Sequence, residues 1–226
     1  MYRIWKKLRL IKYRGEVEKI LRILREIKEL DDEQLKKLYF KSLEIQNNLT
    51  LIAVVGEAFR RIYNIKIHKS QYLAVSALLD NNLTEVKTGE GKTFIIAILA
   101  LTLKGKVHIS TVNRYLAERD YKKLEDLYLF FNRKCYYNDG DRDPEKIKQR
   151  YDNDIIYSAS QDLVFDYLSY GDDILGFNFE FPFENVIIDE FDFVLLDNAN
   201  SEYSVSTGLN YEEKHPYFYK VVIELS

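Results

Sequence analysis

The sequence predicts an α/β fold: a mostly parallel sheet with helices on both faces, preceded by a helical segment. Three observations carry this. From about residue 67 onward, short β-branched runs alternate with helical stretches, the grammar of a parallel sheet. Before that point the apolar residues recur only at three-to-four spacing. Within the second region, a glycine-bearing loop joins a strand-like run to a helix-like one at Thr88 to Thr93.

Taken in order, Met1 to Arg14 carries Arg3, Lys6, Lys7, Arg9, Lys12 and Arg14 with no acid, and Ile4, Trp5, Leu8 and Ile11 recur at helical spacing. Such a helix suits anionic lipid, with Trp5 at headgroup level and the cationic stems snorkelling. Packing of the stripe on the domain is the equal alternative. Ile20, Leu21, Ile23, Leu24 and Ile27 continue the helical pattern to a break at Asp31-Asp32, where either acid can cap a second helix through Leu35, Leu38, Leu43 and Ile45. A third helix covers Leu51 to Tyr63. Strands are expected at Leu83 to Val86, Lys106 to Ser110, Asp154 to Ser158 and Asn185 to Asp189, with helices at Thr93 to Leu103, Arg114 to Asn132 and Gln161 to Tyr170. Tyr136 to Asp141 reads as a turn or loop, and Tyr211 to Tyr219 as an irregular tail.

Composition narrows the function classes. With 226 residues, 46% hydrophobic and 31% charged, and only 3 Pro and 9 Gly, the chain is globular and not disordered. The net charge of -3 supplies no overall basic field, which argues against a nucleic-acid partner in the absence of a local patch. Cys135 is the single cysteine, so an internal disulfide and a cysteine-built zinc site are excluded, and His68, His108 and His215 lack ligand spacing. Cys135 reads as a small buried hydrophobe in a reducing, cytoplasmic compartment. No apolar run reaches the roughly 18 residues needed to span a bilayer, so a membrane contact would be peripheral, through residues 1–14.

Two motifs carry chemistry. Val86-Lys87-Thr88-Gly89-Glu90-Gly91-Lys92-Thr93 matches the latter part of a phosphate-binding loop, with Val86 where the usual pattern has its first glycine. Gly89 and Gly91 permit the backbone to turn N–H groups inward, and the following helix adds its dipole, so a polyphosphate is cradled. In that loop Lys92 reaches the β/γ-phosphates and the Thr93 hydroxyl ligates Mg²⁺. The plainer alternative is a glycine turn before a helix. The second motif, Asn185-Val186-Ile187-Ile188-Asp189-Glu190, is an apolar strand ending in two acids. Asp189 suits Mg²⁺ and Glu190 the attacking water; alone, the pair would be an ordinary helix start. Together the motifs read as a nucleotide hydrolase site.

These residues resemble the N-terminal motor region of the SecA preprotein translocase ATPases, a DEAD-like superfamily. The matching stretches are Thr84 to Thr93, Gly105-Lys106-Val107-His108, Thr111-Val112-Asn113 with Tyr115-Leu116-Ala117 and Arg119-Asp120, Asp154-Ile155, Phe165 to Leu168, and Asp189-Glu190-Phe191-Asp192. The resemblance implies a RecA-like P-loop domain that binds ATP with Mg²⁺ through Thr88, Gly89, Glu90, Gly91, Lys92 and Thr93. It implies Gln71 as the adenine-reading glutamine, a role its paired donor and acceptor suit, and Asp189 and Glu190 as the Mg²⁺ and water-activating carboxylates. It also implies unfolded preprotein and a membrane channel as partners.

The sequence departs from the family at His68 and Lys69, where an aromatic residue and an acid are usual, and at Arg114, where an Asp follows Thr-Val-Asn. Asn200, Ser201 and Glu202 stand where the family carries Arg-Thr-Pro. The expected organisation is a helical segment 1–66, a nucleotide-binding lobe 67–208, and a tail 209–226 toward a missing domain. Two alternatives stand beside the translocase motor: a nucleic-acid helicase lobe on the same fold, and a degenerate nucleotide-binding docking module. After Asp192 too little chain remains for a second lobe, whose arginine finger is worth about 10³ or more in rate in related systems. The chain alone is therefore expected to bind ATP and hydrolyse it slowly.

Overall fold

A computed structural model describes residues 2–87, 89–170 and 184–194, with side chains described from residue 10 and not at 169–170. Thr88, Asn200, Ser201, Glu202 and the tail 209–226 lie outside the described residues. Eight helices and four strands follow one another: α1 (Tyr2–Glu26), α2 (Asp32–Glu44), α3 (Asn48–Tyr63), α4 (Lys69–Leu79), α5 (Lys92–Thr102), β1 (Val107–Thr111), α6 (Arg114–Phe130), β2 (Cys135–Tyr137), α7 (Pro144–Tyr151), β3 (Ile155–Ala159), α8 (Ser160–Tyr170) and β4 (Asn185–Ile188). Among the described residues, no helix is long and apolar enough to cross a membrane.

Local chemistry sets the helix starts. Asp31, the first of the two candidate acids, caps α2: its carboxylate accepts from the Gln34 N–H, and the Gln34 side chain accepts from the Asp31 N–H. Asn47 and Asn113 cap α3 and α6 in the same way. Gly15 does not interrupt α1, which runs unbroken through it. Of its described apolar residues, Tyr13, Val17 and Ile20 are buried against the domain, as is Ile27 just beyond its end, whereas Leu10 and Ile11 face outward.

The sheet is all parallel, in the order β2-β3-β1-β4. Strand alternation divides its two faces. Val107, Ile109, Ile155, Tyr157 and Ile187 join the main core with α3, α5 and α6, and the same core takes in α1, α2 and α4. Ile156 turns to the opposite face and packs with Ile147 and Tyr151 of α7 and Leu163 of α8. Helices thus cover both faces, as the sequence predicts.

Three segments differ from expectation. Leu83 to Val86 forms no ladder with any described strand; Leu83 is 75% exposed, and only Val86 packs on the core. Its residues alternate between exposed and half-buried as in a strand, but no neighbour supplies the hydrogen bonds that make one. Cys135–Tyr137, overlapping the expected turn at Tyr136, is instead edge strand β2, held by its pairing with β3. The unforeseen α7 starts where the Asp143 carboxylate accepts from the Glu145 and Lys146 N–H groups, with Pro144 in its first turn.

Beside α7 lies a buried ionic cluster. Arg150 donates to Asp166 at 2.8 Å and to the Asp141 carbonyl at 2.9 Å, while Tyr151 and Asn138 donate to the same Asp166 oxygen at 2.9 and 2.8 Å. Both charged side chains are at most 2% exposed. Removing one partner strands the other charge, so Arg150→Met should lose about 3–5 kcal/mol in urea unfolding. Arg150→Met/Asp166→Asn should recover part of that loss, because the remaining acid is gone.

Candidate functional site

The chain order of the sheet creates the site. The chain leaves β1 toward β2 on one side of it, whereas from β3 it goes on to β4 on the other, so the direction of the strand order reverses beside β1, the position at which open parallel sheets form a crevice beyond their C-terminal strand ends. The Asp189 N–H donates to the Ser110 carbonyl at 2.9 Å, extending the β1–β4 ladder by one step and fixing Asp189 at the strand's end. Glu190 follows at φ 54°, a left-handed conformation that costs a non-glycine residue of order 1–3 kcal/mol. That turn starts a helical stretch over 191–194 and presents the two acids side by side.

Gly89 and Gly91 have φ of 85° and 82°, the freedom the loop was expected to need. Gly91 caps α5 and has no side chain with which to satisfy the first-turn amides, leaving that end suited to an anion. Lys92 is the first residue of α5, and its Nζ donates to Glu190 Oε1 at 3.3 Å. At 31% and 42% side-chain exposure this ion pair is worth at most about 1 kcal/mol. A phosphate offers charge-assisted hydrogen bonds of about 1.5–3 kcal/mol, so the lysine is readily transferred to one.

Burial pushes the Asp189 carboxyl above the usual carboxylate range; Lys92 pulls it back, and Glu190 and Asp120 add to the rise. Thr93 lies on the same side and donates its hydroxyl to Asp120 at 3.4 Å. The donors collected here, the Thr93 hydroxyl and the Asp189 carboxylate, are hard oxygens that match Mg²⁺ and not a softer metal.

Gln71 stands in the first turn of α4, 5% exposed. Its Oε1 accepts from the His68 N–H at 2.8 Å, and its Nε2 donates to the Glu90 carbonyl at 3.0 Å. A Cβ at Gly91 would collide with this carboxamide. Gln71 therefore buttresses the Gly89–Thr93 loop, using one of its two amide hydrogens and one of its two oxygen lone pairs in these bonds. The structure thus brings Gln71, Gly89, Glu90, Gly91, Lys92, Thr93, Asp189 and Glu190 into one neighbourhood.

The departures find local partners. Arg114 forms a two-bonded pair with Asp162 of α8, at 2.7 and 2.6 Å, so its reversed charge is absorbed. Lys69 pairs with Glu18 of α1 at 2.8 Å. Cys135 is half-buried, and burial pushes its thiol up, away from nucleophilic character.

Asp120 is the site residue to which sequence reasoning gave no role. Its signal was present: it lies in the buried stripe of α6 with Ala117, Leu124, Leu127 and Tyr128, an acid where the period calls for an apolar residue.

The SecA DEAD-like domain family matches residues 2–225 of the chain. The chain is 35% identical over 210 residues to "Protein translocase subunit SecA" of Wolbachia sp. subsp. Brugia malayi (strain TRS), a match covering 86% of this chain and 24% of that protein. Identity to the subunit of the same name in Wolbachia pipientis wMel is also 35%, with the same coverage. "Protein translocase subunit SecA 2" of Bacillus cereus (strain ZK / E33L) is 33% identical over 210 residues, covering 86% of this chain and 26% of that protein. The chain spans about a quarter of the length of these relatives.

The environment of Asp189 sets a pH dependence. Because its folded carboxyl is raised, the folded protein holds this proton to higher pH than the unfolded chain. Its contribution to stability is full below the unfolded value, about 3.9, and is lost as pH rises through the folded value. Carboxyl-detected NMR titration should find Asp189 above the ordinary range, higher still in Lys92→Ala and lower in Glu190→Gln.

Proposed function

Because the chain belongs to the SecA DEAD-like domain family, we propose that it is the ATP-binding and hydrolysing motor lobe of a SecA-type protein translocase. In this reading a second lobe completes the site and hydrolysis drives movement of an unfolded polypeptide at a membrane channel. The observation that carries the proposal is the meeting of Lys92, on the uncapped start of α5, with Glu190 beside Asp189 at the end of β4, 3.3 Å apart.

ATP enters with its phosphates over Gly89 to Thr93, and Thr88 lies within the same loop. Lys92 leaves Glu190 for the phosphates, which frees the Glu190 carboxylate to orient and deprotonate a water. Gln71, already fixed to the loop through Glu90, reads the base with its remaining donor and acceptor. Thr93 and Asp189 hold Mg²⁺. When bound, that ion neutralises charge developing between the β- and γ-phosphate oxygens. The outward-facing Leu10 and Ile11, next to the basic run from Arg3 to Arg9, support peripheral contact of the first turns of α1 with anionic lipid.

Lys92→Ala should weaken ATP binding by about 10-fold to 100-fold, the equivalent of one charge-assisted contact. Glu190→Gln should retain binding and lose about 10²–10⁴ in hydrolysis, the usual worth of a general base. Calorimetry and phosphate release measure the two; wild type binding no better than Lys92→Ala would remove the nucleotide reading. An unfolded, signal-bearing polypeptide should stimulate turnover where single-stranded RNA does not, and the reverse result would favour a helicase.

Lipid contact has its own check, co-sedimentation with vesicles containing anionic phospholipid. Lys6→Glu/Lys7→Glu/Arg9→Glu should lower it at least about tenfold, since each basic residue near such a surface contributes about 1 kcal/mol. This variant leaves the Lys12 and Tyr13 contacts with Asp80 in place.

A further inference from the structure

We propose that Asp120 is a positioning residue of the nucleotide site: it accepts the proton side of the Thr93 hydroxyl and thereby aims the Thr93 lone pairs at the divalent cation. This rests on the reading that the site binds Mg·ATP.

A hydroxyl that ligates a cation does so through oxygen, and its hydrogen needs an acceptor pointing away from the metal. Asp120 Oδ2, 3.4 Å from Thr93 Oγ1, is that acceptor. The separation is long for an O–H···O bond, as hydrogen bonds in unliganded sites commonly are before they tighten around the substrate. The other oxygen of Asp120 is already committed: Arg119 reaches Oδ1 with Nε and Nη2, both at 2.8 Å. Arg119 thus fixes the carboxylate plane and leaves Oδ2 for Thr93.

Burial gives the second argument. Asp120 is 4% exposed in the apolar stripe of α6, and burying a carboxylate carries a penalty of several kcal/mol. Its half-exposed neighbour Arg119 offsets part of this, but an apolar residue there would pack α6 without the penalty. A role for the charge accounts for a carboxylate at this buried position. Labour is divided in this reading: Asp189, at the end of β4, faces the ion and Asp120 stands behind Thr93.

The experiment measures ATP affinity of the full chain by calorimetry across a Mg²⁺ titration and again in EDTA. Asp120→Asn should raise the Mg²⁺ concentration for half-maximal affinity gain by about tenfold or more, the usual effect of losing an outer-shell partner. Its affinity in EDTA should stay within about twofold of wild type, and in a Thr93→Val background Asp120→Asn should add less than about twofold. Unchanged Mg²⁺ dependence would overturn the assignment, as would an equal loss with and without Mg²⁺, which marks a merely structural role. If Asp120→Asn does not fold, Arg119→Gln, at a half-exposed position, should shift the Mg²⁺ midpoint in the same direction, and no shift would count against the proposal. Wild type that fails to bind ATP sinks the Mg·ATP reading along with this one. Normal wild-type binding with an unmoved Asp120→Asn midpoint sinks this one alone.

Discussion

The structure depends on the double pairing of β1. All five of its residues, Val107 to Thr111, are buried, and each is registered against β3 while the first four are registered against β4. Its odd residues feed the large core and its even ones, His108 and Ser110, the smaller face. A slip of one residue would exchange those faces and bury the wrong set, so the register is strongly specified. Everything at the crevice inherits that register. Asp189 is placed by its bond to Ser110, α6 follows β1 after a link of two residues, and Asp120 is therefore delivered to the neighbourhood of Thr93.

Charge is the second constraint. Asp120, Asp189 and Glu190 converge on Lys92 and Arg119, so the acids outnumber the bases without a ligand. Part of the imbalance is relieved by raising the Asp189 carboxyl, and part by the Lys92–Glu190 contact. A polyphosphate alone would worsen the excess of negative charge, and a divalent cation arriving with it would offset part of that change. The arrangement would therefore suit a cation-bearing polyphosphate better than a bare one.

Much of this was legible in the chain. The two motifs gave Lys92, Thr93, Asp189 and Glu190 because strand-to-loop transitions are local events with local signatures, Gly89 and Gly91 on one side and the apolar Asn185 to Ile188 run on the other. The helices with strong period and a capping side chain, Asp31 for α2 and Asn113 for α6, were readable for the same reason. What escaped depended on partners distant in sequence. Leu83 to Val86 has strand composition yet no pairing neighbour among the described residues, while Cys135–Tyr137, with a turn-like Asn-Asp-Gly just beyond it, becomes a strand because β3 lies alongside. Asp120 was quoted as part of a motif, but its burial and its contact with Thr93 exist only once α5 and α6 are packed. Gln71 shows a mixture of both: the resemblance singles it out, but α4 and its hydrogen bonds to His68 and Glu90 exist only in the folded chain.

The first helix has a mechanical consequence. At 1.5 Å per residue, the 25 residues of α1 make a rod of roughly 37 Å, held against α3 and α4 over its latter part. Midway along it Lys12 and Tyr13 both grip Asp80, and Tyr13 also accepts from Asn82, at the head of the segment that runs to the Gly89–Thr93 loop. Glu18 ties the same rod to Lys69, two residues before Gln71. Force applied to the leading turns of α1 would thus be carried by a stiff lever with its fulcrum at residues 12–18, and both points of the fulcrum sit on the chain that flanks Gln71 and the Gly89–Thr93 loop.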